Sequence, residues 1–216
     1  MKKELKISIS KEMVSAMSGL ELVTYCYCNA IISSQLCFSG VSAPITEESL
    51  GYFIYQKPAS KYQIGEIRKS LYKIAESNEI NFKKIKSLYI IDEKSFQKKR
   101  TSLFTTVSFS EVKKIIDNTK NPTLLKYFIL LMLTRRYDKK YSKRIVSTLT
   151  NPYFAKMCNV SNQTISNYNK TLENLGLIYI HRIQVNGVKI KNYYGRKCDE
   201  KFIRCYTSLQ DPLDMI

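Results

Sequence analysis

The chain has 216 residues, 44% of them hydrophobic and 25% charged, the make-up of an ordinary globular protein rather than of a disordered tail. Its 35 Lys and Arg against 18 Asp and Glu give a formal net charge of +17, a self-repulsion that fits a polyanionic partner, either nucleic acid or an anionic membrane. A lysine-rich codon bias would account for part of this excess.

At the start, Met1-Lys2-Lys3 carries the charge of a leader. Glu4-Leu5-Lys6-Ile7-Ser8-Ile9, however, alternates polar and apolar residues like a strand and offers no apolar signal core. Leu20 to Ser34 is predicted helical. The wider apolar run to Phe38 is broken by Glu21, Asn29, Ser33, Ser34 and Gln35, which excludes a membrane span. Thr46-Glu47-Glu48 opens a short helix to about Gln56, and Lys61 to Ser77 forms a longer one with Ile64, Ile67, Leu71 and Ile74 on one face. Phe82 to Ile91 reads as strand. The basic run Glu93 to Ser102 (Lys94, Lys98, Lys99, Arg100) is either a connector or the wing of a first module.

The second half is clearer. Phe104 to Val107 is a strand, and Ser108-Phe109-Ser110-Glu111 is a capping box that opens a helix through about Asn118. Asn121-Pro122 breaks the chain before a helix from Thr123 to Arg136, with Arg135-Arg136 where cations favour a helix C-terminus. Its richest apolar run, Tyr127 to Leu133, is too short to cross a bilayer. Asn151-Pro152 caps a short helix, Tyr153 to Cys158, and Asn159-Val160 makes a turn. Ser161 caps a third helix, with Ile165, Tyr168, Leu172 and Leu175 at helical spacing and a stop at Gly176. Leu177 to Ile180 and Val188 to Tyr194 are strands joined at Asn186-Gly187, a strong hairpin signal. The expected architecture is therefore helix-rich α+β: tandem winged helix-turn-helix modules over residues 1–103 and 104–216, the first read as a degenerate copy, with an unrelated helical domain as the alternative there.

In a helix-turn-helix the second helix enters the major groove N-terminal end first. Here Ser161, Asn162, Gln163, Thr164, Ser166, Asn167 and Lys170 are the expected DNA-binding residues of that helix. Its face is amide-rich and has no acid before Glu173, which suits a groove lined with phosphate; Asn and Gln pair with adenine, suggesting an A·T-containing site. Wing and backbone contacts are expected from Arg182, Lys189, Lys191, Arg196 and Lys197, with Tyr193 and Tyr194 interleaved, and from Lys143 and Arg144 in the cluster that also holds Lys139 and Lys140. In the N-terminal module the corresponding residues are Lys61, Gln63, Arg68 and Lys69, with Lys83, Lys84 and Lys86 adding non-specific attraction. A basic strand edge that merely discourages pairing is the plain alternative for the wing.

The run Ser161-Asn162-Gln163-Thr164-Ile165-Ser166-Asn167-Tyr168, followed by Leu172-Glu173-Asn174-Leu175-Gly176-Leu177-Ile178, resembles the turn, recognition helix and first wing strand of bacterial winged-helix regulators and replication proteins. A tandem pair of such modules in a small basic chain resembles the plasmid and phage replication initiators. That resemblance implies an origin-binding initiator or replisome organiser; the alternative is a transcriptional regulator at an operator. The expected partner is double-stranded DNA, with no membrane. A homodimer and contacts with replication or transcription machinery are further expectations, and the location is the cytoplasm, with the nucleoid.

Enzymatic DNA cleavage is not expected. Rolling-circle nickases resemble one another in a paired-histidine metal site, and the chain has only His181. A recombinase's Arg and His constellation, a phosphate-binding loop of the Walker type and the aromatic signature of RNA-recognition strands are all missing. Cys26, Cys28, Cys37, Cys158, Cys198 and Cys205 include no Cys-x-x-Cys pair, so neither zinc nor another cofactor is expected, and the thiols read as free and mostly buried.

Overall fold

A computed structural model describes residues 4–36, 44–77, 79–91, 103–139, 143–185 and 189–208. The chain is α+β and rich in helix, with small antiparallel sheets. It forms two compact units, Met1–Lys126 and Tyr127–Ile216.

In the first unit the alternating segment at the start becomes β1 (Lys6–Ser10), with Ile7 and Ile9 fully buried. Ser10 then caps α1 (Lys11–Ala16) by accepting the Met13 amide. Ser18 and Glu21 form a reciprocal capping pair at the head of α2 (Gly19–Leu36). Leu22, Val23, Thr24, Tyr25 and Cys26 are buried at consecutive positions, so this helix is enclosed on every side there. Burial pushes the Cys26 thiol up to about 12 and raises that of Cys28, which makes both inert.

A Cβ at Gly19 would stand 2.5 Å from the Pro122 carbonyl carbon and oxygen. Gly19→Ala should therefore cost about 1–3 kcal/mol by forcing backbone apart. Urea denaturation checks this, and an unchanged midpoint would contradict it.

After β2 (Pro44–Thr46), Thr46 caps α3 (Glu47–Tyr55), and Ser60 with Gln63 forms the capping box of α4 (Lys61–Glu76). The segment expected as one strand from Phe82 to Ile91 is a hairpin, β3 (Phe82–Ile85) and β4 (Leu88–Ile91). Lys86 turns it with φ 55°, a left-handed conformation that leaves no glycine signal in the sequence. β2 adds to the far edge of β4. The basic run Glu93 to Ser102 lies outside the described residues.

β5 (Phe104–Ser108) leads into α5 (Phe109–Thr119), whose capping box joins Ser108 and Glu111 as expected. Yet β5 pairs along its whole length with β1, from Lys6↔Ser108 to Ser10↔Phe104. This ladder, formed between segments far apart in sequence, carries β5 and α5 into the first unit. The division falls between Lys126 and Tyr127, inside α6 (Pro122–Leu133), rather than at 103/104.

The ladder is self-complementary. Both strands show the same alternation of buried and exposed positions and end in a serine N-cap. Ile7 faces Val107 and Ile9 faces Thr105. The flanking bonds are reciprocal: Lys11 donates its amide to Leu103 (2.8 Å) and Phe109 donates its amide to Leu5 (3.0 Å).

In the second unit α6 stops at Leu133, short of the predicted Arg136. The Arg136 backbone bonds instead to Val146 (2.8 Å) and Ile145 (2.9 Å), beside the short ladder of β6 (Tyr137–Asp138) and β7 (Lys143–Arg144). Thr150, rather than Asn151, is the N-cap of α7 (Asn151–Cys158), with Pro152 in its first turn. Ser161 caps α8 (Asn162–Asn174). β8 (Ile178–Val185) and β9 (Lys189–Arg196) pair antiparallel through eight positions, and the Asn186-Gly187 turn lies outside the described residues. A 3-10 turn (Lys197–Asp199) and α9 (Glu200–Ser208) close the chain's described part.

The order strand, helix, helix, short strand, helix, helix, hairpin occurs twice: first from β1 to β4, and again from β5 to β9 with β6 and β7 in the short-strand place.

Candidate nucleic-acid interface

The segment from α7 to α8 is built by local chemistry. Asn159 takes the left-handed conformation (φ 54°), ends α7 and lets the Val160 amide reach back to Ala155 (3.0 Å). Ser161, in extended backbone, then accepts the Thr164 amide at 3.1 Å and exchanges a hydroxyl bond with Thr164 at 2.9 Å. Two of the predicted binding residues are thus engaged in starting the helix.

Helix α8 seats Ile165, Asn169 and Leu172 in the unit's core. The buried Tyr127 hydroxyl donates to Asn169 Oδ1, while its ring packs against Phe154 (5.3 Å) and Tyr168 (5.9 Å). Opposite that buried side Gln163, Asn167, Lys170 and Asn174 are exposed. Their spacing of four, three and four places them along one stripe, and Asn162 is exposed at the first helical position. Gln163 Nε2 donates to Asn167 Oδ1 (3.3 Å), which aligns the two amides and leaves the Gln163 carbonyl and the Asn167 N–H groups facing outward. No acid occupies the first turn. The helix dipole and the uncapped amides there favour an anion.

Ser166 differs from this group. It accepts from Asn151 Nδ2 and donates to the Asn162 carbonyl, both at 3.2 Å, so its hydroxyl is engaged within the protein.

Compared with known proteins, the chain matches no protein-family model and no curated protein.

The hairpin β8–β9 is covered close to its base. Tyr193 and Tyr194, expected to interleave with wing cations at the surface, are both 1% exposed. Tyr193 joins Ile145, Val146 and Ile203 in one cluster, with Phe202 and Tyr206 of α9 packed on it. Tyr194 faces the other way and meets Phe154 edge-on. The alternation of the strand puts these neighbours on opposite faces, and α9, which the sequence reading did not anticipate, covers one of them.

Several expected cations already have partners. Arg182 makes a paired contact with the Glu173 carboxylate at 3.3 and 2.8 Å. Lys197 bonds Glu200 and lies 5.4 Å from the Tyr179 ring. Arg144 donates to the Leu133 carbonyl at 2.8 Å, closing the C-terminus of α6. Arg196 stacks on Phe128 at 5.9 Å and Lys191 on Tyr193 at 5.4 Å. Lys143 and Lys189 lie at the starts of β7 and β9; their backbone is described but their side chains are not. Lys170 is exposed on the same helix as the amide stripe.

In the first unit α4 holds the corresponding place. Lys61 is exposed at its first position. Gln63, by contrast, accepts the Ser60 amide at 2.8 Å. Arg68 grips Glu47 at 2.7 and 2.8 Å, and Lys69 bonds Glu66 at 2.7 Å. Lys83, Lys84 and Lys86 are exposed on the β3–β4 hairpin, with Lys84 held over Tyr89 at 4.9 Å. The two units thus differ in the faces they offer, amide-rich on α8 and ion-paired on α4.

Among the described residues no helix is long and apolar enough to cross a membrane.

Proposed function

We propose that the chain binds double-stranded DNA sequence-specifically through α8, laid in the major groove with the β8–β9 hairpin alongside as the wing of a winged helix-turn-helix. The observation that carries this reading is the α8 stripe: Gln163, Asn167, Lys170 and Asn174 exposed on one line, Asn162 at its head and an acid-free first turn. Amides match adenine's N6 and N7 edge, and Lys170 suits phosphate. A surface helix kept only for solubility would mix in acids.

The biological role proposed is that of an origin-binding initiator or replisome organiser of a plasmid or phage. Support comes from the repeated element order, which supplies a second helix pair and hairpin for an adjacent stretch of duplex. Since Arg68, Lys69 and Lys84 are ion-paired, the first unit's share falls to Lys61 and to Lys83 and Lys86 of the hairpin, as backbone contacts.

Selection from random duplexes, followed by titration at several salt concentrations, tests this. Asn162→Ala with Asn167→Ala should cost ~1–3 kcal/mol on the selected sequence and flatten preference between sequences, while leaving the salt slope in place. Lys170→Ala should weaken all duplexes alike and reduce the log–log slope by about one. If the wild type selects no sequence, or the amide pair leaves preference intact, α8 is not the reading helix. Direct repeats among genomic sites would support the initiator role; a palindrome overlapping a promoter would point to an operator.

A further inference from the structure

Beneath the α8 stripe lies a chain of side chains with no direct part in the reading proposed above. Asn192 Nδ2 on β9 donates to the Tyr194 hydroxyl (3.2 Å), and that hydroxyl donates to Asn151 Oδ1 at the first position of α7 (3.2 Å). Asn151 Nδ2 in turn donates to Ser166 Oγ (3.2 Å), and Ser166 donates to the Asn162 carbonyl in the first turn of α8 (3.2 Å). Every bond runs in the same direction, from the hairpin through α7 to the head of α8. Donors and acceptors aligned head to tail polarise one another, so such a chain is stiffer than its separate links.

Its middle is firmly held. Tyr194 is 1% exposed, its ring meets Phe154, and its backbone exchanges two 2.9 Å bonds with Ser147. The Asn169 amide of α8 also faces the Tyr194 hydroxyl. The hairpin end is costly: Asn192 Oδ1 is buried with no hydrogen-bond partner. Burying an unpaired carbonyl opposes folding, and here the same side chain supplies the proton that orients Tyr194.

We propose that Tyr194 and Asn151 are positioning residues for DNA recognition: they couple the hairpin to α8 through Ser166 and set the angle at which Asn162, Gln163 and Asn167 meet the base edges. This rests on α8 being the reading helix. It also assigns Ser166, by sequence a base-contacting residue, to the inner side of the site. The hairpin then contributes to sequence preference as well as to phosphate attraction.

The test uses the full chain and the duplex selected by the wild-type protein, with a scrambled duplex of equal length as reference. The readout is the dissociation constant for the scrambled duplex divided by that for the selected one, a ratio that a loss of folded protein would leave unchanged because it weakens both alike. Tyr194→Phe, Asn151→Ala and Ser166→Ala should each lower that ratio roughly tenfold, within the range of one lost base contact, with no change in salt slope, and Ser166→Thr should restore it. Tyr194→Phe combined with Ser166→Ala should lose no more than either alone, since both break one chain.

Loss in Ser166→Ala alone, with Tyr194→Phe and Asn151→Ala unchanged, would make Ser166 a direct base reader and overturn the coupling. Retention in all three variants would overturn it as well. Failure of the underlying reading looks different: there Asn162→Ala with Asn167→Ala leaves the ratio intact. Ser166→Ala changes only a partly exposed helix position, so it remains informative should Tyr194→Phe fold poorly.

Discussion

Replacing Arg68 by Ala is expected to destabilise the first unit, read as a lower urea midpoint. Glu47, 8% exposed, accepts from Arg68 Nε (2.7 Å) and Nη2 (2.8 Å), receives the Tyr89 hydroxyl and has Lys84 at 3.6 Å. These contacts tie α3, α4 and the β3–β4 hairpin at one point. Removing the guanidinium leaves a buried carboxylate short of its main partner, and an unpaired buried charge opposes folding. Arg68 is itself 51% exposed, so water screens part of the attraction and the loss is smaller than for a fully enclosed pair.

The same group predicts an acid limb. The Arg68 bonds hold the Glu47 carboxyl at about 2, against an ordinary 4.5, with Tyr89 and Lys84 adding to the effect against the cost of burial. A carboxyl depressed by folding contributes stability that is fully present above about pH 4.5 and is lost as pH falls toward 2. Urea midpoints taken between neutral pH and pH 2 should decline in that window for the wild type and decline less in Glu47→Gln. Equal acid slopes for the two proteins would count against this account.

The second large effect is expected at Asn169. Its carboxamide is buried within α8 and its Oδ1 accepts a hydrogen bond from the fully buried Tyr127 hydroxyl. Asn169→Ala would leave that hydroxyl without its acceptor and open a small void, together about 2–3 kcal/mol. Tyr127→Phe combined with Asn169→Leu removes both polar groups and should recover most of the loss, because the penalty comes from the unpaired partner. Thermal unfolding of the single and double variants decides this. A double variant as unstable as Asn169→Ala would show that the cost lies in packing alone.

The elements that could be read from sequence are those whose signals are local. Ser60, Ser108 and Ser161 each begin a helix by bonding an amide three residues on, and the apolar spacing that follows them is visible without a structure. Lys86 turns a hairpin with no glycine, so one strand was expected where two exist. α6 ends before the expected Arg136 because the backbone of Arg136 is claimed by Ile145 and Val146. The expected junction at 103/104 lies where the second run of the repeated element order begins, at β5, while the compact units divide inside α6 because the β1–β5 ladder joins strands far apart in the chain.

The candidate site divides in the same way. The exposed amides of α8 follow from helical period alone. What Arg68, Arg182 and Lys197 do depends on Glu47, Glu173 and Glu200, and only Glu200 lies close enough along the chain for its pairing to have been anticipated. Asn169 was hidden by its polarity, since a period-based core omits an amide that packs against tyrosine. α9 also carries a local signal: Ile203 and Thr207 are buried four residues apart, with Phe202 and Tyr206 beside them.

The β1–β5 ladder also sets a timetable. Translation at about 5–20 residues per second puts the making of the two strands, roughly 100 residues apart, some 5–20 s from each other. Through that interval a nascent Lys6–Ser10 shows the ribosome's surroundings an open edge with Ile7 and Ile9 on it. Because the two strands present equivalent positions, the β5 of a neighbouring chain on the same message is as good a mate as the chain's own. Slow synthesis and crowded polysomes should therefore favour strand-exchanged dimers, whereas rapid completion of residue 108 favours the monomer.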